Sequence, residues 1–329
     1  IYGITPFNFP LNLLLHKLIP AIASKNLIII KPGVQTPVTA LKLAELIEKS
    51  SLPTGMCQIF PCENDVAQTI LENPRVRCLS FTGSTGVGRY LQSLVPSKKV
   101  LLECGGMASM IVDETADVEA AATAAVNGGF AYAGQTCISV QHVYIHESVY
   151  EQIKAIILAK TQGLKYGDPL DETVSLSSLI SDTALEKVQG MVADALEHGA
   201  TCAIGGKADG RVYVPTVLET VPQAARIMED EVFGPVICLH RYETISAVVA
   251  AINASDFGLQ HGVFSKDEAL IERLYSEIEV GGFIVNESPT WRVDSMPYGG
   301  VKSSGFGREG LRYAIEEMTE MKLLTFNRR

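Results

Sequence analysis

Residues 26–50, NLIIIKPGVQTPVTALKLAELIEKS, hold a strand and a helix end to end. Leu27–Ile30 are apolar without alternation, which suits a short strand covered on both faces. After a Pro-Gly break, apolar residues recur at helical spacing from Thr36, with Pro37 in the first turn and Gly55 beyond the end. The pattern then repeats as MCQIF (56–60), ENDVAQTILEN (63–73), RVRCLSF (75–81), a helix from about Gly86, and KKVLLE (98–103). Strands alternating with helices imply parallel pairing, so the first 105 or so residues read as a doubly wound α/β sheet.

An alanine-rich helix, DVEAAATAAVNGGFAYAG (117–134), leads into a second α/β region. Its strands are expected near 140–145, 200–204, 235–241, 261–265 and 282–286. Helices are expected near 148–160, 182–198, 243–252 and 267–276. The end of the chain is glycine-dense at MPYGGVKSSGFGREG (296–310), then forms a short helix and a last strand, MKLLTF (321–326).

The bulk numbers narrow the function. The chain has 329 residues, 47% of them hydrophobic and 19% charged, which is globular composition with length for two domains. A net charge of −10, with the acids spread along the chain, disfavours nucleic acid, whose phosphates reward clustered Lys and Arg. The longest apolar stretch, LNLLLHKLIPAIA (11–23), is interrupted by His16, Lys17 and Pro20 and falls short of the ~20 residues that span a bilayer. Seven cysteines is an odd number for a disulfide framework, and none has metal-ligand spacing. Reduced thiols in a cytoplasm, with no metal site and no membrane partner, are the expectation.

Five features carry chemistry. FAYAGQTCIS (130–139) places Cys137 behind a Gly-Gln-Thr run, either a buried structural thiol or a nucleophile. FTGSTGVG (81–88) runs from a strand into glycines at a helix start, where backbone N–H groups can meet a phosphate; a plain tight turn would look the same. LLECGG (101–106) puts Glu103 at the C-terminal end of a strand, the edge where ligands sit, as a general base or a solvated carboxylate. TPFNFP (5–10) holds Asn8 between two aromatics, an oxyanion donor or ordinary turn chemistry. EDEVFGPV (229–236) sets Glu231, able to accept sugar hydroxyls, beside Phe233, whose ring can pack on a flat cofactor; alone it is an acidic turn.

In order and spacing, TPFNFPL, IIIKPG-QTP, FTGST-VG, LECGG, GQTC, E-EVFGP and the closing MPYGGVKSSGFGREG resemble the NAD(P)-dependent aldehyde dehydrogenase superfamily. The gap of 34 from Glu103 to Cys137 fits as well. The resemblance implies an aldehyde dehydrogenase-like fold: a cofactor domain at 1–106, a catalytic domain at 107–295, and a return segment with a short oligomerisation strand at 296–329. It implies oxidation of an aldehyde to a carboxylic acid, with Cys137 adding to the carbonyl, Asn8 and the Cys137 N–H holding the oxyanion, and Glu103 activating the hydrolytic water. A helix N-terminus is expected to help stabilise the Cys137 thiolate. Lys31 would bind the adenosine ribose, Gly83 and Ser84 the pyrophosphate, and Glu231 and Phe233 the nicotinamide ribose and ring. A homodimer or homotetramer is implied. The alternatives are an acylating enzyme that resolves the thioester with coenzyme A, or a non-catalytic fragment that forms oligomers.

The departures are informative. Where the pattern commonly reads ELGGK-P, this chain reads ECGGMAS, with Cys104, Met107 and Ser109 replacing Leu, Lys and Pro. Val34 stands where NAD-selective members often place a glutamate, so NADP is tolerable and NAD is preferred only slightly. The chain opens at Ile1, directly ahead of the Asn8 motif, so family members' upstream strands are expected to be missing from it. In NESPTWRVDSMPYGG (286–300), Arg292 and Trp291 are placed to meet a small polar or anionic aldehyde, unless Arg292 pairs with Asp294 or faces solvent.

Overall fold

The computed structural model describes residues 1–327 and divides into two units. The first comprises Ile1–Cys104, Val293–Gly299 and the chain from Gly305; the second comprises Gly105–Arg292 and Gly300–Ser304.

The first unit is built from β1 (Tyr2–Ile4), α1 (Asn12–Ala23), β2 (Ile28–Lys31), α2 (Pro37–Glu48), β3 (Cys57–Ile59), α3 (Asn64–Glu72), β4 (Cys78–Thr82), α4 (Thr85–Leu94) and β5 (Lys99–Glu103). The five strands are mutually parallel in the order β5-β4-β1-β2-β3, and a two-residue strand at Gly305–Phe306 adds antiparallel to β5. One face of the sheet packs Tyr2, Leu79, Phe81 and Leu102 against Leu71 of α3 and Leu91 of α4. The other packs Ile28 and Ile30 against Leu14 and Leu18 of α1 and Ala40 of α2. Burial of each such leucine stabilises the unit by about 1.5–3 kcal/mol relative to exposure. Apolar residues on both faces are why NLIIIK shows no alternation.

The second unit adds β6 (Ala108–Val112), α5 (Val118–Phe130), β7 (Val140–His146), α6 (Tyr150–Gln162), α7 (Asp182–Glu197), β8 (Thr201–Ile204), a hairpin of β9 (Ala208–Asp209) and β10 (Val212–Tyr213), β11 (Thr216–Glu219), β12 (Val236–Tyr242) and α8 (Ile245–Ala254). It closes with β13 (Phe257–Gly258), β14 (Gln260–Phe264), α9 (Glu268–Glu277), β15 (Gly282–Val285) and β16 (Val301–Lys302), which pairs with β13. Its main sheet runs β15-β14-β6-β7-β12-β11-β8, parallel except for β8. Val143, Ile145, Ile237 and Leu239 face α5 and α6. Ile111, Tyr144, Tyr242 and Val263 face α8 and α9.

Two differences from the sequence reading stand out. β6 lies directly behind the Gly105–Gly106 turn and was absorbed into it, although ASMIV is as apolar as any strand here. The expected last strand is not formed: residues 321–326 have no strand pairing, and Met321, Leu323, Leu324 and Phe326 are all exposed. A strand needs a partner for its backbone groups, and within the described residues this segment finds none.

Candidate active site

In the first unit the C-terminal ends of β1, β2, β4 and β5 share one edge, because the strands are parallel neighbours. Register places Lys31 and Phe81 on either side of Ile4, and Thr82 beside Glu103. Asn8, on the loop leaving β1, is 5% exposed. That loop is held from behind: Thr5 N–H donates to the Lys31 carbonyl at 3.0 Å. A Cβ on Gly33 would come within 3.0 Å of the Phe7 nitrogen. Lys31 is buried where β2 ends.

Gly83 follows β4, its N–H donating to the Glu103 carbonyl at 3.0 Å. A Cβ there would lie 2.7 Å from the Phe81 ring, so the turn requires glycine. Ser84 caps α4 through backbone alone; Gly86 opens to free space, and the buried Thr85 hydroxyl has no hydrogen-bond partner among the described residues. An uncluttered helix N-terminus with an unengaged hydroxyl fits a phosphate group.

Glu103 ends β5 with 3% exposure, between Thr82 on one side and Gly305 on the other. Gly299, at φ +153°, packs so closely that a Cβ would sit 2.7 Å from Glu103 Oε1. Beneath this edge lies a group that the sequence reading passed over. Lys17 is fully buried, and its Nζ donates to Thr82 Oγ1 (2.7 Å), Ser80 Oγ (3.2 Å) and Glu309 Oε1 (3.1 Å). The charge fastens the end of β4 to the glycine-dense segment that carries Gly299 and Gly305, and removing one partner of such a pair costs about 3–5 kcal/mol. Its signal was visible: a lysine inside LNLLLHKLIPAIA either breaks a core helix or meets a buried acid.

In the second unit, α5 delivers Cys137. Asp117 caps the helix by accepting from Ala120 N–H at 3.0 Å, and Gly128 and Gly129 bring it against Val140 and Ile237. Past Phe130 the chain reverses through three left-handed residues, Tyr132, Ala133 and Gly134, at φ 58°, 55° and 70°. For Tyr and Ala that conformation is strained, and such strain persists only where surroundings enforce it. Cys137 follows, half-buried, three residues before β7. No helix begins at Cys137. The helix before it presents its C-terminal end, so the expected local helix N-terminus is corrected here: the loop leads into a strand.

The wall beside Cys137 is glycine. A Cβ on Gly106 would collide with the Cys137 carbonyl, and one on Gly134 with the Gly234 backbone. Gly106 N–H donates to Glu231 Oε1 at 2.9 Å, and a Cβ on Gly105 would lie 2.5 Å from Glu231 Oε2. Burial raises the Glu231 carboxyl to about 7, opposed by the Gly106 N–H and by Lys187, whose Nζ donates to the Glu231 carbonyl at 2.7 Å. Phe233, at φ 54°, turns the chain immediately after. Trp291 and Arg292 sit on a loop tied down by Gln260 of β14, which donates to the Trp291 carbonyl at 2.9 Å. Trp291 is 47% exposed and Arg292 half-buried. Asp294 takes His16 at 3.2 Å. Of the predicted residues, the structure thus gathers Asn8, Lys31, Gly83, Ser84 and Glu103 along one sheet edge of the first unit. It brings Cys137 and Glu231 to one glycine wall in the second unit. Gln260, Lys187 and Lys17 were missed.

A parallel sheet whose carboxyl edge carries a bare helix N-terminus places the first unit in the doubly wound α/β class, whose members bind ligands at that edge. Residues 1–324 match the Aldehyde dehydrogenase family. The chain is 43% identical over 326 residues to 3-sulfolactaldehyde dehydrogenase of Priestia megaterium, spanning 99% of this chain and 68% of that one. Aldehyde dehydrogenase 21 from Physcomitrella patens, solved with the reaction product succinate, superposes with a TM-score of 0.95 at 39% identity, over 98% of this chain and 68% of that one. Glyceraldehyde-3-phosphate dehydrogenase from Methanocaldococcus jannaschii, complexed with NADP, gives 0.94 at 37%, over 98% and 71%. The chain belongs to the aldehyde dehydrogenase family, as an NAD(P)-dependent oxidoreductase that converts an aldehyde to a carboxylic acid. Among the described residues, no helix is long and apolar enough to cross a membrane, and no cluster of three or more His, Cys, Asp or Glu side chains could hold a metal ion.

Proposed function

We propose that Cys137 is the nucleophile, that Asn8 and the Cys137 N–H stabilise the oxyanion, and that Glu103 is the base that activates water. The Cys137 thiolate adds to the aldehyde carbon and forms a thiohemiacetal, whose oxyanion draws on the amide donors. A bound nicotinamide would supply the acceptor for the hydride of this carbon. Glu103 then removes a proton from water as it attacks the resulting thioester, which frees the carboxylic acid and the thiolate. Lys31, Gly83, Ser84, Glu231 and Phe233 would hold the cofactor: Lys31 and Glu231 at the two riboses, the Gly83–Ser84 turn at the pyrophosphate, and Phe233 against the nicotinamide. One observation carries this reading: the Gly105–Gly106 wall touches both the Cys137 carbonyl and the Glu231 carboxylate, so the proposed nucleophile and ribose clamp are set by the same backbone.

The proposed domain roles are a cofactor domain on the first unit and a catalytic domain on the second. These units depart from the expected 1–106, 107–295 and 296–329 in that Gly105, Gly106 and Gly300–Ser304 join the second unit and the rest of the chain from Val293 joins the first. The proposed assembly is a cytoplasmic homodimer or homotetramer. NAD is favoured only slightly over NADP, which is tolerable because Val34 brings no carboxylate to repel a 2′-phosphate.

The substrate we propose is a small polar or anionic aldehyde, recognised by Arg292 with Trp291 beside it. The relative named for 3-sulfolactaldehyde and the structural neighbour solved with succinate both handle anions, which supports this reading. The expected result is that Arg292→Ala lowers kcat/KM for an anionic aldehyde by about 10- to 100-fold, the size of a charge-assisted hydrogen bond, and leaves a neutral aldehyde within about 3-fold. Steady-state kinetics on the two substrates checks it; equal losses on both would remove the anion clamp.

A further inference from the structure

Two of the sequence departures, Met107 and Ser109, border a cavity of about 350 Å³ in the second unit, on the sheet face that carries His142, Tyr144 and His261. Its lining also includes Met228, Glu229 and, from the turn after α8, Ser255 and Asp256. A serine at 109 has a consequence that a proline could not have. The Ser109 N–H donates to His261 Nδ1 at 2.9 Å, so the neutral imidazole carries its proton on Nε2. That ring is 2% exposed, and its Nε2 has no hydrogen-bond partner among the described residues. A buried N–H donor left idle is destabilising, and an acceptor placed on it would recover that loss.

Two further imidazoles back the floor. His142 Nδ1 meets His240 Nε2 at 3.0 Å, and His240 stacks on Tyr144 with centroids 4.8 Å apart. Burial keeps all three histidines neutral, with His240 and His261 lowered to about 4. No lysine or arginine lines the cavity, whereas Glu229 and Asp256 stand exposed at its rim. The nearby Lys302 is engaged by the Asn253 and Ser255 carbonyls and by Glu279, and Arg226 faces Asp230. The surroundings are therefore aromatic and acidic, which favours a cation, with one fixed donor that wants an acceptor.

We propose that this cavity is a binding site for a small organic ammonium compound, its acceptor atom on the His261 Nε2–H and its cationic end toward Glu229 and Asp256. The probe 4-(aminomethyl)pyridine has both groups on an apolar ring; benzylamine lacks the acceptor. Isothermal titration on the full chain at pH 7.5 is expected to give saturable binding of the pyridine with a Kd of about 1 mM or tighter, as its size allows. Benzylamine is expected to bind about fivefold or more weakly, the worth of one hydrogen bond. The exposed double variant E229Q/D256N should weaken the pyridine by a similar factor, and H261F should remove the difference between the two amines. Circular dichroism verifies that each variant is folded; should H261F fail to fold, the comparison of amines on the unaltered chain and the rim variant still decides. Absence of saturation at 20-fold the expected Kd, equal binding of the two amines, or an unchanged Kd in the rim variant would overturn the assignment.

Discussion

Cys137→Ala abolishes aldehyde oxidation, with kcat falling by at least about 10³-fold, while cofactor binding stays within about 3-fold of the parent. The size of the loss follows from the chemistry. A hydride cannot leave an aldehyde carbon until a nucleophile has made it tetrahedral, and no other group in the proposed site supplies one. The loop geometry includes Gly106, Gly134 and the left-handed residues before Cys137, which the substitution leaves in place. Absorbance of the reduced nicotinamide over an aldehyde panel measures the rate, and fluorescence quenching measures binding of the cofactor. Turnover within tenfold of the parent would remove Cys137 from the reaction.

Glu103→Gln separates the two halves of the cycle. The amide keeps the shape of a buried side chain pressed by Gly299, but it cannot take a proton from water. The variant is expected to show one rapid equivalent of reduced cofactor per site and then a steady rate lower by about 10²–10⁴-fold, the usual worth of a general base. Intact mass would rise by the acyl group on Cys137. Hydroxylamine, a nucleophile that needs no base, should restore turnover and yield the hydroxamate. Loss of the burst itself would instead place Glu103 before hydride transfer.

The fold was largely legible in the sequence because two-faced strands and amphipathic helices leave opposite signatures: Leu27–Ile30 form an unbroken apolar run, and the helix after them does not. Legibility failed where hydrogen bonding comes from elsewhere. β1, only Tyr2–Ile4, is the centre of its sheet yet too short to show a pattern. MKLLTF has strand composition and no strand partner among the described residues. The residues read as chemical came through motif spacing, whereas Lys17, Gln260 and the three histidines work through contacts made across long sequence separations, and no local pattern announces them. Ser109 lies between: the departure was plain, but its N–H had no visible recipient until His261 was in place.

The buried histidines also set how the enzyme meets acid. His261 and His240 ionise near 6.5 when unfolded and near 4 in the fold, so the unfolded chain binds more protons between those values. Stability is therefore fully present above about pH 6.5 and is lost as pH falls toward 4, by about 2 kcal/mol for His261 at pH 5. The unfolding midpoint is expected to drop by several degrees between pH 7 and pH 5, and less so in His261→Gln; equal drops would assign the acid sensitivity to other groups.

The polypeptide passes between its two units at 104/105, 292/293, 299/300 and 304/305. Neither unit is thus a single uninterrupted stretch. Cutting the gene at 104 would strip the first unit of Gly299 and the Gly305–Phe306 strand that border Glu103, and cutting it at 292 would strip the second of β16. Dissection by simple truncation damages both halves, and a split that keeps each intact has to graft the excised five-residue piece, Gly300–Ser304, back by a designed linker.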